Sequence, residues 1–279
     1  MKYANLHLHS VHSDGLFTPD MLVNAAKSLG YRALALTDHQ TDSGVEEMFA
    51  AGAKEEIDII SGVEFYARED GREVHMTALD YNRSDQGFRK FVDYWVSEAS
   101  EHTKRGFDYG VSQGFFHEIS WEDALLASPD GAWFNGNTIL RAYAAKKIPV
   151  PQELREFMFH VFKKGEVIGP RPCATMKDTI EAVRQAGGVI ALAHPLLTQF
   201  DLVDKLVGYG MNGIEVCHPD MGEEATFKAL QVAEKYNLYH SGGTDHTGAL
   251  SAVGGKHAVA ALQGVTEEEY FTLKERRKG

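Results

Sequence analysis

Short apolar runs alternate with helix-patterned stretches at both ends of this chain, and no other feature limits its fold so strongly. Leu6 to Leu8 precedes the turn His12-Ser13-Asp14-Gly15. Thr18 and Pro19 then supply an N-cap and a first-turn proline for a helix through Met21, Leu22, Ala25, Ala26 and Leu29, which Gly30 closes. Residues 33–36 read as a buried strand, 45–53 as an apolar-periodic helix and 57–60 as a third strand. The rhythm returns with a helix over 175–186 ending at Gly187-Gly188, a strand over 189–193, and further strands near 215 and 240 separated by helices. With one more run near 76, seven strands are expected, in parallel and joined by right-handed crossovers. That number suits a closed or nearly closed α/β barrel.

Between residues 84 and 172 the pattern changes. Phe88, Phe91, Val92, Trp95, Val96 and Ala99 recur at helical spacing with no strand among them, and Gly136, Pro149, Pro151 and Gly165 mark later breaks. The reading is two barrel segments, 1–83 and 173–279, with 84–172 as a helical insertion capping one end. Composition adds exclusions. No apolar run nears the roughly 20 residues of a membrane span and residues 1–10 lack a signal-peptide layout, so a cytoplasmic location is expected. Cys173 and Cys217 fit no disulfide or thiolate-zinc spacing. A formal charge of −12 opposes broad contact with a nucleic-acid backbone, though not a small phosphorylated ligand at a local cationic site.

Thirteen histidines is a high count for 279 residues, and their placement carries the chemistry. His7 and His9 lie two apart on a strand, so both rings point to one side and can reach one cation. Asp14, Thr37-Asp38-His39, Gly62-Val63-Glu64, His75, Ala193-His194-Pro195 and Thr244-Asp245-His246 each fall at or just past the C-terminal end of an expected strand. In parallel barrels, active sites sit at that end. Nitrogen and oxygen donors without thiolate suit zinc, manganese or iron. Asp14, Glu64 and Asp245 converging without cations would repel one another at high desolvation cost. Three divalent ions would bring the formal −12 to about −6.

The series His7-x-His9, Ser13-Asp14-Gly15, Thr37-Asp38-His39, Gly62-x-Glu64, His75, Ala193-His194-Pro195 and Gly243-Thr244-Asp245 resembles the polymerase-and-histidinol-phosphatase (PHP) family of metal-dependent phosphoesterases. The resemblance implies a distorted (β/α)7 barrel with two or three divalent cations (Mn, Zn or Fe) at its rim. His7, His9, Glu64 and Asp245 would hold one metal. Glu64 would bridge to a second, bound by His75 and His194, and Asp14 and His39 would hold a third. The usual third ligand there is a histidine two residues after the aspartate, where this chain has Thr247; His246 comes one residue early and would have to swing in.

The expected reaction is hydrolysis of a phosphate mono-, di- or cyclic ester of a small metabolite, with a water bridging two cations as nucleophile. Arg141 and Arg171 are the candidates for gripping phosphate. His218, at the end of the sixth strand, would bind phosphate or protonate the leaving oxygen, and Asp14 stands with it as a catalytic candidate. A Gly-Arg-Pro-His run common in relatives acting on nucleotides is replaced by Gly136-Asn137-Thr138-Ile139, so a phosphorylated sugar, including a cyclic phosphate, stands beside a nucleotide as substrate. His12 and His240 read as loop and packing residues; His102, His117, His160 and His257 have no assigned role. Two other classes stay open. An amidohydrolase-type C–N hydrolase also starts with His-x-His but needs a bridging lysine, which no expected strand end offers, and a silent metal-stabilised module would have lost ligands.

Overall fold

The computed structural model describes residues 2–247 and 263–276, so His257 lies outside the described residues. The N-terminal alternation is realised as β1 (Ala4–Asn5), α1 (Pro19–Ser28), β2 (Ala33–Ala35), α2 (Val45–Glu55) and β3 (Asp58–Ile60), with β1, β2 and β3 paired in parallel. The Thr18 hydroxyl accepts from the backbone N–H of Met21 to open α1, and Pro19 occupies the first turn. Leu22, Val23 and Ala26 turn inward to meet Leu34, Leu36 and Met48.

Strict alternation breaks at Gly62. β4 (Gly62–Glu69) folds back on β5 (Arg72–Leu79) as an antiparallel hairpin. Its two-residue turn, Asp70-Gly71, has positive φ at both positions (52° and 75°), the geometry that Asp-Gly favours because it matches strand twist. The helical stretch follows: α3 (Gln86–Ser112), α4 (Trp121–Leu126), α5 (Gly136–Ala145) and α6 (Gln152–Met158), the last running into a π turn at Phe159–Lys163. Phe88 and Val92 at the start of α3 pack into the sheet core. Farther along, Phe107 joins Phe116, Ile139, Tyr143, Leu154 and Met158 in a separate helical core.

After α7 (Met176–Gln185) the chain returns through β6 (Val189–Leu192), α8 (Val203–Gly208), β7 (Gly213–Cys217), α9 (Glu223–Tyr236), β8 (Tyr239–Gly242) and α10 (Glu267–Glu275). β5 pairs antiparallel with β6, and β6, β7 and β8 run parallel. The fold is therefore mixed α/β, but it departs from the expected all-parallel seven-stranded barrel. Eight strands among the described residues form two sheets, β1-β2-β3 and β4-β5-β6-β7-β8, with no continuous closed ladder. The reason is local: β1 and β2 stop after two and three residues, and beyond them the backbone bends to deliver side chains. Single bridges, Leu8 to His246 and His39 to Glu64, join the sheets there. Gly243 permits this approach, since a Cβ on it would sit 2.4 Å from the backbone nitrogen of His7. Among the described residues, no helix is long and apolar enough to cross a membrane.

Candidate metal centre

Just past β1, the backbone pairing of Leu8 with His246 keeps residues 7–9 extended, and Leu8 is buried in the apolar layer beneath α1. His7 and His9 consequently project to the other side. There the structure assembles four overlapping groups among the described residues: His7, His9, Glu64 and Asp245; Glu64, His75 and His194; His9, Asp14 and His39; and His7, Glu215 and His218. Within each, the donor atoms lie within 4.8 Å of one another. Glu64, on β4, is the hinge of the arrangement. Its Oε1 is 2.9 Å from His75 Nδ1 and 3.1 Å from His194 Nε2. Its Oε2 faces His39 Nδ1 at 2.8 Å, His9 Nε2 at 3.3 Å and His7 Nε2 at 3.4 Å. Asp245 Oδ1 approaches His9 Nε2 at 2.8 Å, and Asp14 lies 3.7 Å from both His9 Nδ1 and His39 Nε2.

Electrostatics tests whether these residues suit a cation. Burial works to raise the Glu64 carboxyl, yet the imidazoles of His39, His7 and His75 hold it well below the usual carboxylate range. Asp245 is likewise depressed, by His7, His218 and His9 against burial. Burial opposes charge on His7 and His9, but their carboxylate neighbours raise both well above an ordinary imidazole. His75 goes the other way: burial takes it down to about 4. Protons thus balance the cluster's charge when no cation is bound. Even so, His7 Nε2, both ring nitrogens of His9, His39 Nδ1 and Glu64 Oε2 are buried without a hydrogen bond of acceptable geometry. Buried polar atoms are seldom left so. Buried nitrogen and oxygen atoms without hydrogen bonds, converging with no sulfur, fit a divalent transition metal. The backbone bends to serve them, with φ of 29° at His194 and 49° at Asp245.

Three expectations end elsewhere. His246 joins none of these groups; its ring packs against Phe17 with centroids 5.1 Å apart, because its backbone is committed to the Leu8 bridge and to the N–H of His9. His9, not His246, stands as third donor beside Asp14 and His39. Arg141 does not face the cluster: its guanidinium donates to the carbonyls of Val11, Ser13 and Gly15 at 2.6–2.8 Å and clamps the loop that carries Asp14. His218 is fully buried at its side chain, with Nε2 3.3 Å from Asp245 Oδ2 and Nδ1 accepting from the Asp220 N–H, so it braces a cluster carboxylate. Arg171 alone of the two arginines lines a cavity, its guanidinium also paired with Glu73 at 3.3 Å. It stacks 3.4 Å above the Tyr66 ring centroid and lines a cavity of about 360 Å³ with Asp14, Tyr66, Trp133, Asn135 and Phe162.

Two acidic residues outside the expected set support the cluster. Asp38 is buried and accepts from the Ser10 N–H and the hydroxyls of Ser10 and Ser13 at 2.5–2.7 Å, fixing the loop between His9 and Asp14. Glu215, in the middle of β7, contacts His7 and the backbone of His194. A glutamate inside the apolar run Gly213-Ile214-Glu215-Val216 was its only sequence signal.

A family model described as the PHP domain matches residues 5–133. A phosphoribosyl 1,2-cyclic phosphate 1,2-diphosphodiesterase of Eggerthella lenta is 26% identical, over 89% of this chain and 95% of its own length. A 5′-3′ exoribonuclease of Haemophilus influenzae is 25% identical, over 88% of this chain and 89% of its own. Among solved structures, a Bifidobacterium adolescentis protein described as a metal-dependent phosphoesterase superposes with a TM-score of 0.82 at 27% identity, covering 98% of this chain and 95% of that one.

Proposed function

From the premise that this chain carries a PHP domain and is a hydrolase of phosphoric esters, we propose that it cleaves a mono-, di- or cyclic ester of a small phosphorylated metabolite at a centre of two or three divalent cations (Mn, Zn or Fe). One observation carries the reading: the two oxygens of Glu64 face different sets of imidazoles, as a carboxylate shared by two ions must. His7, His9 and Asp245 would complete one set, His75 and His194 the second, and His9, Asp14 and His39 a third. Cations bound there would supply the acidity that makes water nucleophilic near neutral pH and the charge that offsets phosphoryl oxygens.

The chain's own residues do the rest. Asp14 belongs to both the cluster and the cavity wall, so it links the cations to a substrate held in the cavity. Arg171 points a guanidinium into the same space, where it would orient phosphate oxygens. Residues 84–172 serve in this reading as the cap. They contribute Trp133, Asn135 and Phe162 to the cavity, surfaces suited to the body of a small ester and to excluding water. The net charge of −12 favours such a ligand over extended nucleic acid, although three relatives are named exoribonucleases.

The decisive test is metal analysis of gently purified protein, paired with a panel of phosphomonoesters, diesters, cyclic sugar phosphates and short 5′-phosphorylated RNA. Copurifying Mn, Zn or Fe and release of phosphate from a small ester are the expected results. Failure of every small ester with manganese-loaded protein would overturn the reading, and turnover of RNA alone would replace its substrate class.

A further inference from the structure

Glu215 is wholly buried in the middle strand of the β6-β7-β8 array, a place where a carboxylate is costly unless each oxygen finds a partner. Both oxygens lie 3.3 Å from His7 Nδ1, and Oε2 also accepts from the His194 backbone N–H at 2.6 Å. A carboxylate can only accept, so His7 must carry its proton on Nδ1. The other nitrogen, Nε2, faces Glu64 and Asp245 and is the atom that would offer its lone pair to a cation. The second contact bears on a different group. His194 sits at φ 29°, unfavourable for a residue with a side chain, and from that backbone it presents Nε2 to Glu64 Oε1 at 3.1 Å. The register of β7 with β8 shifts between Glu215 and Cys217, immediately after the glutamate.

We propose that Glu215 is a positioning residue for both halves of the metal centre: it sets the tautomer of His7 and pins the backbone of His194, and so governs cation affinity without touching a cation. The inference rests on the metal-centre reading above. Partners of ligating imidazoles change affinity by about 10–100-fold when removed. Glu215 also lies near His7 and His218 in a grouping that a cation could in principle use. Its two oxygens, however, are engaged by N–H groups, which argues for support over ligation.

The experiment is titration of cation-free protein with Zn²⁺ and with Mn²⁺ against a chelator, for wild type, Glu215→Gln and Glu215→Asp, alone and in a His7→Ala background. Glu215→Gln should weaken binding about 10–100-fold with unchanged stoichiometry, and Glu215→Asp, which keeps the charge but shortens the reach, should recover part of the loss. In the His7→Ala background the Gln effect should shrink, because the residue acts through His7. Nitrogen-15 spectra of the cation-loaded protein should show the Nδ1–H form of His7 in wild type and a shifted Nδ1–H resonance in Glu215→Gln, whose amide oxygen is a weaker acceptor. Unchanged affinity, or an equal loss with and without His7, overturns the proposal, and so does loss of one cation per chain, which would make Glu215 a ligand. Should Glu215→Gln not fold, Glu215→Asp with wild-type affinity and an unchanged ring spectrum overturns it. A wild type that binds no cation defeats the metal-centre reading itself, a result distinct from all of these.

Discussion

The rim where the two sheets meet and the helical core of residues 86–163 are built on opposite terms. At the rim, five imidazoles and three carboxylates from strands and the loops after them crowd together, several of their atoms unsatisfied and two of their backbones bent to positive φ. In the helical core, Phe107, Phe116, Ile139, Tyr143, Leu154 and Met158 interlock at ordinary helical spacing, with Phe107 stacked 4.9 Å from Phe116. Apolar burial stabilises the second region directly. The first is assembled at a cost that its surroundings must carry, which is the mark of a site shaped by chemistry more than by folding.

Substitutions can separate these terms. Glu64→Gln should have the largest effect, a loss of phosphoesterase activity on the order of 10⁴-fold with cation content falling in parallel, read by initial rates and elemental analysis. Phe116→Ala should do the reverse. It should lower unfolding free energy by about 3–5 kcal/mol in urea melts while the folded protein retains its cations. If Phe116→Ala strips the metal, the two regions are not independent and the contrast fails.

Arg141→Ala sharpens the boundary between them, since Arg141 projects from α5 of the helical segment onto the rim loop. Removing its charge-assisted bonds should cost about 1.5–3 kcal/mol of stability. Occupancy of the group containing Asp14 should fall selectively, measurable as one weaker binding step with the others intact. Equal weakening of every step would mean that the loop is held by something else. The smallest effect concerns pH, far from the rim. His240 hydrogen-bonds Glu269 and takes its carboxyl down to about 2, below its ordinary 4.5. A depressed carboxyl contributes stability that is present above about 4.5 and fades as pH falls toward 2. Glu269 is partly exposed, so Glu269→Gln should remove under about 1 kcal/mol of that dependence in melts across this window.

Most of the cluster residues were readable because they follow an apolar run by a short offset, as His39 follows residues 33–36 and His194 follows residues 189–193, whereas His75 lies inside β5. The hairpin at Asp70-Gly71 was also written in the chain, as an Asp-Gly turn between alternating segments, but an expectation of uniform crossovers hid it. Arg141 and Arg171 were indistinguishable in sequence. Whether a guanidinium meets three carbonyls or lines a cavity depends on how α5 packs against the loop after His9, which no local pattern encodes. Glu215 was missed for the converse reason: its partners, His7 and the backbone of His194, lie 208 and 21 positions away.

The helix α3 deserves a mechanical reading. At 27 residues it is a rod of about 40 Å, socketed at Phe88 and Val92 among the strands and at Phe107 among the helices. Ala99 and Thr103, between those sockets, line the cavity wall. A tilt of the rod about either anchor would therefore narrow or widen the chamber, making its diameter a property of how both ends are seated.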